Sequence, residues 1–114
     1  MAAVAGKSPR AEALQLLGLA KRAGGVASGV DRTRNALRSG AAALVLVAED
    51  ASKAQLGKIE GLLRARRVPC VAVGDRSALG AALGGPPLSA AAVMDEPLAK
   101  RILERLEEGT TGGA

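Results

Sequence analysis

The sequence predicts an α/β protein, a three-layer α/β/α sandwich around a central sheet of about four strands. Three observations carry that expectation. Segments with apolar residues at helical spacing alternate along the chain with short apolar runs of strand length. The runs Ala43–Ala48 and Pro69–Val73 are apolar without alternation, as strands covered on both faces are. Gly, Pro, Ser or Asp punctuates the junctions between them.

Taken in order, residues 1–8 are small and polar and read as a disordered leader. Residues 10–23 form a helix with Ala13, Leu14, Leu16, Leu17 and Ala20 inward. Lys21 and Arg22 close it, and Gly24 and Gly25 stop it. Val26–Ser28 is a short strand. Residues 30–39 are a second helix with Val30, Thr33, Ala36 and Leu37 inward, ending at Gly40. Ala43–Ala48 is a buried strand. Residues 52–66 return to helix, with Leu56, Ile59, Leu62 and Leu63 inward and Ser52 as N-cap. Pro69–Val73 is a second buried strand, and Asp75 caps a short helix through Leu83. Gly84–Ser89 is an exposed loop before a third, weaker strand, Ala90–Met94. Asp95 caps a last helix carrying Leu98, Ile102, Leu103 and Leu106, with Pro97 tolerated in its first turn. Residues 109–114 read as a flexible tail, so one domain is expected over residues 9–108.

The 114 residues suffice for one domain with its own core. No apolar run approaches the roughly 18 residues of a membrane span. Met1–Lys7 has no secretory pattern, and Cys70 stands alone, so a cytoplasmic, reducing setting is expected. The Ala- and Arg-rich composition suits a bacterial source. With no His, Ser-His-Asp and Cys-His catalysis are excluded within the chain. One Cys and no His leave no zinc site of the usual kind. No enzyme activity, cofactor, metal or small-molecule substrate is expected. The absence of Phe, Tyr and Trp excludes RNA modules that stack bases on aromatic platforms.

The net charge of +5 is unevenly distributed. Residues 1–40 hold seven basic residues against Glu12 and Asp31, and the remaining nine basic and nine acidic residues cancel. A polyanion-binding surface would produce such an excess, and so would an ordinary solvated surface.

Several local motifs have weaker claims. Gly6-Lys7-Ser8 has Met1 where a P-loop needs its first Gly, and Pro9 follows at once. Gly80–Gly85 follows a helix pattern and reads as its terminus and turn. Glu49 and Asp50 end a strand and could serve as an acid–base pair or hold a metal, but a cap from Asp50 or Ser52 on the next helix is preferred. Cys70, in an apolar strand, reads as core. The second helix is more informative, because it leaves Asp31, Arg32, Arg34, Asn35 and Arg38 facing outward. Ser28 and Gly29 precede it, so its free N–H groups could face an anion. Arg grips guanine edges and phosphates in two-pronged fashion, and Asn can read adenine. The bland alternative is a solvated face with an Asp31–Arg34 pair.

The order of several segments resembles the L-seven-Ae/L-thirty-e ribosomal-protein family, most closely its short bacterial members. The segments are Leu17-Gly-Leu-Ala-Lys-Arg-Ala-Gly24, Ser28-Gly29, Ala36-Leu37-Arg-Ser-Gly40, Leu44-Val-Leu-Val-Ala-Glu-Asp-Ala-Ser52, Val68-Pro69 and Leu79-Gly-Ala-Ala-Leu-Gly84. The match covers about residues 10–103. It implies the same α/β/α sandwich and binding to kink-turn RNA, a sharply bent duplex with a bulge and sheared G·A pairs. In the family the start of the second helix enters the widened major groove at the kink. Gly29 matches the family's motif there, whereas Asp31, Arg32 and Asn35 stand where Asn, Glu and Lys are usual. Asp31 lacks amide donors, Arg32 reverses a charge and could still reach a guanine edge, and Arg34 is placed to supply the cation that Asn35 does not. The family's apolar loop over the bulge corresponds to Pro87-Leu88-Ser89-Ala90.

The resemblance and the charge asymmetry together imply a monomeric RNA-binding protein, ribosome- or translation-associated, that stabilises bent RNA as part of a ribonucleoprotein. Lys21, Arg22, Arg34 and Arg38 would contact phosphates. Ser28, Gly29 and Asp31 would lie at the approach, Arg32 and Asn35 would read bases, and Leu88 and Ser89 would cover the bulge. The alternative is an adaptor in ribosome assembly or translation with only non-specific RNA affinity.

Overall fold

The two periodicities fold into alternating helices and strands. A computed structural model describes residues 8–111, with side chains through residue 108. The order is α1 (Pro9–Arg22), β1 (Val26–Ser28), α2 (Val30–Ser39), β2 (Leu44–Val47), α3 (Lys53–Arg66), β3 (Cys70–Ala72), α4 (Arg76–Ala82), β4 (Ala90–Val93) and α5 (Glu96–Thr111). The four strands make one mixed sheet in the order β1-β4-β2-β3. β2 and β3 are parallel, and β4 runs antiparallel to both β1 and β2.

The pleat explains the unbroken apolar runs. Leu44 and Leu46 of β2 join Ala91 and Val93 of β4 in a core with Leu17 of α1, Leu79 of α4 and Ile102 of α5. The alternate residues Val45, Val47, Ala90 and Ala92 face a second core with Val30 and Leu37 of α2 and Ile59 of α3. Helices cover both faces, so neither side of the strand can be polar. The layers are therefore α1, α4 and α5, then the sheet, then α2 and α3. This is the expected three-layer α/β/α sandwich, with four strands.

Two strands exchange the ranks that sequence assigned them. Ala90–Val93, expected to be the weak strand, is central and fully buried. Its alanines carry little β propensity but fit where helices approach from both sides. Pro69–Val73, expected to be buried, supplies the edge strand β3, where Cys70 and Ala72 are exposed. Cys70 is therefore not a core residue. Nearby atoms still desolvate its thiol enough to raise its pKa, the opposite of what a reactive thiol needs.

The helix ends follow the expected side chains with small differences. Ser8, grouped above with the leader, caps α1 by accepting from the Ala11 amide at 3.1 Å. Ser52, not Asp50, caps α3, accepting from the Gln55 amide at 3.1 Å. Asp75 and Asp95 accept from the amides of Ala78 and Leu98 at 2.8 and 3.0 Å. α5 continues to Thr111, beyond the boundary drawn at residue 108. Gly109 lowers helix propensity there without forbidding the helix. Residues 1–7 of the expected leader and 112–114 of the expected tail lie outside the described residues.

Candidate nucleic-acid interface

Antiparallel pairing brings Ser28, Gly29, Leu88 and Ser89 to one end of the sheet. Ser28 at the end of β1 pairs with Ala91, and the Gly29 amide donates to the Ala90 carbonyl at 2.8 Å. On the other side of β4, the Ala48 amide donates to the Ser89 carbonyl at 2.9 Å. The start of β4 thus sets Leu88 and Ser89 beside both the β1–α2 junction and the end of β2.

Gly29 turns the chain from β1 into α2 with φ +95°, a conformation that L side chains rarely adopt. It is the N-cap of α2 and offers no side-chain oxygen, so α2 alone among the described helices α1–α4 begins without a side-chain cap. Its first amides remain available to an anion. Two buried hydroxyls lie close to this point in the chain. Ser28 Oγ and Thr33 Oγ1 have no hydrogen-bond partner among the described residues. A buried hydroxyl without a partner costs about 1–3 kcal/mol.

The burial of Val30, Thr33, Ala36 and Leu37 fixes the rotation of α2 and leaves Asp31, Arg32, Arg34, Asn35 and Arg38 exposed, as expected. That exposed face has two flanks. Arg32, Asn35 and Ser39 line a shallow cleft of about 460 Å³ together with Val26 and Ala27 of β1 and Met94. Arg34 and Arg38, four residues apart, lie on the opposite flank, toward α3. The exposed polar residues of α2 are thereby divided between two flanks. Among the described residues, ion pairs join Arg10 to Glu49, Arg76 to Asp50, and Arg105 to Glu12 and Glu108. None involves the arginines of α2, and Asp31 does not pair with Arg34.

Not every candidate joins this surface. Lys21 and Arg22 end α1 on the opposite helical layer, where Arg22 lines a larger apolar cleft of about 730 Å³ between α1 and α4. Leu88 is half-buried against the core beneath α1 and α4, and the exposed tip of its loop is Gly84–Pro87. Gly80 permits that packing, since a Cβ there would lie 2.0 Å from the Pro86 carbonyl oxygen.

Glu49 and Asp50 are taken up in joining elements. Glu49 Oε2 meets Arg10 Nη1 at 3.0 Å. Asp50 Oδ1 accepts from the Arg76 amide at 2.8 Å and so holds the start of α4. Among the described residues, no group of His, Cys, Asp or Glu is gathered for a metal ion. No described helix is long and apolar enough to cross a membrane.

Comparison with known proteins agrees with the fold. The model of the ribosomal protein L7Ae/L30e/S12e/Gadd45 family matches residues 11–104. The RNA-binding protein YlxQ of Bacillus subtilis (strain 168) is 36% identical over 92 residues, which cover 81% of this chain and 92% of that protein. A Bacillus halodurans protein of unknown function superposes with a TM-score of 0.79 at 28% identity, over 84% of this chain and 97% of that one. The Giardia lamblia 15.5kD RNA binding protein shares the fold, with a TM-score of 0.68 at 22% identity over 85% of this chain and 83% of that one.

Proposed function

This chain belongs to the ribosomal protein L7Ae/L30e/S12e/Gadd45 family, and from that premise we propose that it binds and stabilises kink-turn or similarly bent structured RNA in the cytoplasm, as a translation-associated ribonucleoprotein component. The observation that carries the reading is the α2 N-terminus. Gly29 brings backbone amides to the surface without a competing side-chain cap, and a row of exposed arginines, free of ion pairs among the described residues, begins one turn later. Binding energy at that point would favour the kinked over the extended RNA, a population shift and not a reaction.

Arg32 and Asn35, on the β1 flank, read base edges. Arg34 and Arg38, on the α3 flank, contact phosphates and set the register. Ser28 offers its hydroxyl beside the entry point, and Asp31 lies in the first turn. Leu88 and Ser89 support the loop that meets the bulge, and Pro86 and Pro87 at its exposed tip present the apolar surface. Lys21 and Arg22 belong to the opposite layer and are left out of the contact. The chain acts as a monomer on this reading.

A double substitution tests it. Arg32→Ala with Arg34→Ala is expected to weaken kinked-RNA binding by about 10- to 100-fold, from one lost base contact and one lost phosphate contact. Unchanged affinity would sink the reading. The departures at Asp31, Arg32 and Asn35 favour one rival, an adaptor with non-specific RNA affinity. That rival expects a steep salt dependence with equal binding to kinked and straight duplexes.

A further inference from the structure

The C-terminal ends of α2 and α3 meet, and their cations meet with them. The Arg66 guanidinium donates to the Arg38 carbonyl, which ties the last turn of α3 to the last turn of α2. Arg38 lies in the last turn of α2, Arg64 and Arg66 lie in the last turn of α3, and Arg67 follows as its C-cap. All four are exposed, and none takes part in an ion pair among the described residues. Arg34 lies one turn before Arg38 on the same flank, so the cluster continues the row that begins at the α2 N-terminus.

Part of this arrangement is structural. Cations at helix C-termini offset the macrodipole, and Arg66 satisfies a terminal carbonyl of α2. The dipole also accounts in part for Arg64 and Arg67, but unlike Arg66 their side chains hold no hydrogen-bond or ion-pair partner among the described residues. Arg67 also has φ +56°, and it is the one described residue other than Gly in the left-handed region. Glycine is the usual occupant of such a helix end. An arginine there stands beside three others, and Glu60, one turn before Arg64 on α3, forms no ion pair with them among the described residues.

We propose that Arg38, Arg64 and Arg67 form a second phosphate-binding surface, which holds the backbone of an RNA stem leaving the α2 N-terminus. The proposal rests on the reading of that N-terminus as the RNA site. The ten residues of α2 set the cluster about 15 Å from Gly29, within reach of a stem that continues along the helix. An RNA backbone fits better than an acidic protein. The exposed large apolar side chain among the described residues is Leu19, on the opposite layer, so the patch lacks the apolar anchor that protein interfaces use.

The test uses two RNAs with the same kinked core, one with stems trimmed close to it and one with extended stems. The full chain is compared with Arg64→Gln/Arg67→Gly, which leaves the Arg66 cap intact and relieves the backbone at residue 67. On the extended RNA the variant is expected to bind about 3- to 10-fold more weakly, and the slope of log affinity against log salt is expected to fall in magnitude by about 1–2. On the trimmed RNA the two proteins should bind alike. Equal affinity of the two proteins for the extended RNA would overturn the proposal alone, provided the wild type binds the trimmed RNA tightly. An equal loss on both RNAs would overturn it as a general charge effect. Polyglutamate bound by the wild type and not by the variant, with extended-RNA affinity unchanged, would overturn it in favour of an acidic protein partner. A wild type that does not prefer the trimmed kinked RNA over a straight duplex overturns the parent reading, and this proposal with it.

Discussion

Arg67 shows how a single residue can carry both a cost and a use. Its left-handed backbone costs an L-residue roughly 1–2 kcal/mol, part of which glycine would return through its larger unfolded-state entropy. Arg67→Gly is therefore expected to raise the unfolding free energy by about 0.5–1 kcal/mol in urea titrations. A decrease would show that the Arg67 side chain stabilises the fold. Cys70 illustrates the limit of reading burial from sequence. An apolar tripeptide looks the same in a central and an edge strand, and only long-range pairing puts Cys70 in solvent. On α2 the reverse holds. Val30, Thr33, Ala36 and Leu37 repeat at helical spacing, so the outward Arg32, Arg34, Asn35 and Arg38 are legible in the sequence. What could not be read was the division of that face between the β1 cleft and the α3 flank, because it depends on neighbours distant in sequence.

At the scale of elements, each strand and helix announces itself through periodicity and caps, whereas sheet order does not. β1 and β4 lie far apart in the chain, and nothing local in Ala90–Val93 signals a central strand. The same limit hid the work of Asp50. Sequence adjacency suggests a cap on α3, but Ser52 takes that role, and Asp50 reaches across to the Arg76 amide. Asp50 and Arg76 side chains are 50% and 55% exposed, so their ion pair at 3.6 Å contributes little. The hydrogen bond to the helix start matters more. Asp50→Ala should lower stability by about 0.5–2 kcal/mol, in the range of a lost helix cap. Chemical denaturation measures this, and a loss near zero would mean that Asp75 alone secures α4.

For the whole molecule, charge is better read in space than along the chain. The last two thirds of the sequence sum to zero, which conceals the cluster of Arg64, Arg66 and Arg67 against Arg38. The sandwich separates the charges further. α2 and α3 present one arginine-bearing layer, and the apolar cleft with Leu19 lies on the other, between α1 and α4. One end of the sheet collects Ser28, Gly29 and Ser89, where α2 begins. The central claim is that this geometry selects bent RNA. Its most direct test is a titration of a doubly labelled kink-turn RNA, read by energy transfer, beside a straight duplex of matched length at about 150 mM salt, where screening limits non-specific attraction. The account predicts that the protein raises energy transfer in the kink-turn RNA and binds it at least about tenfold more tightly than the duplex, a difference of about 1.4 kcal/mol. Equal affinity for both, with no change in energy transfer, would contradict it.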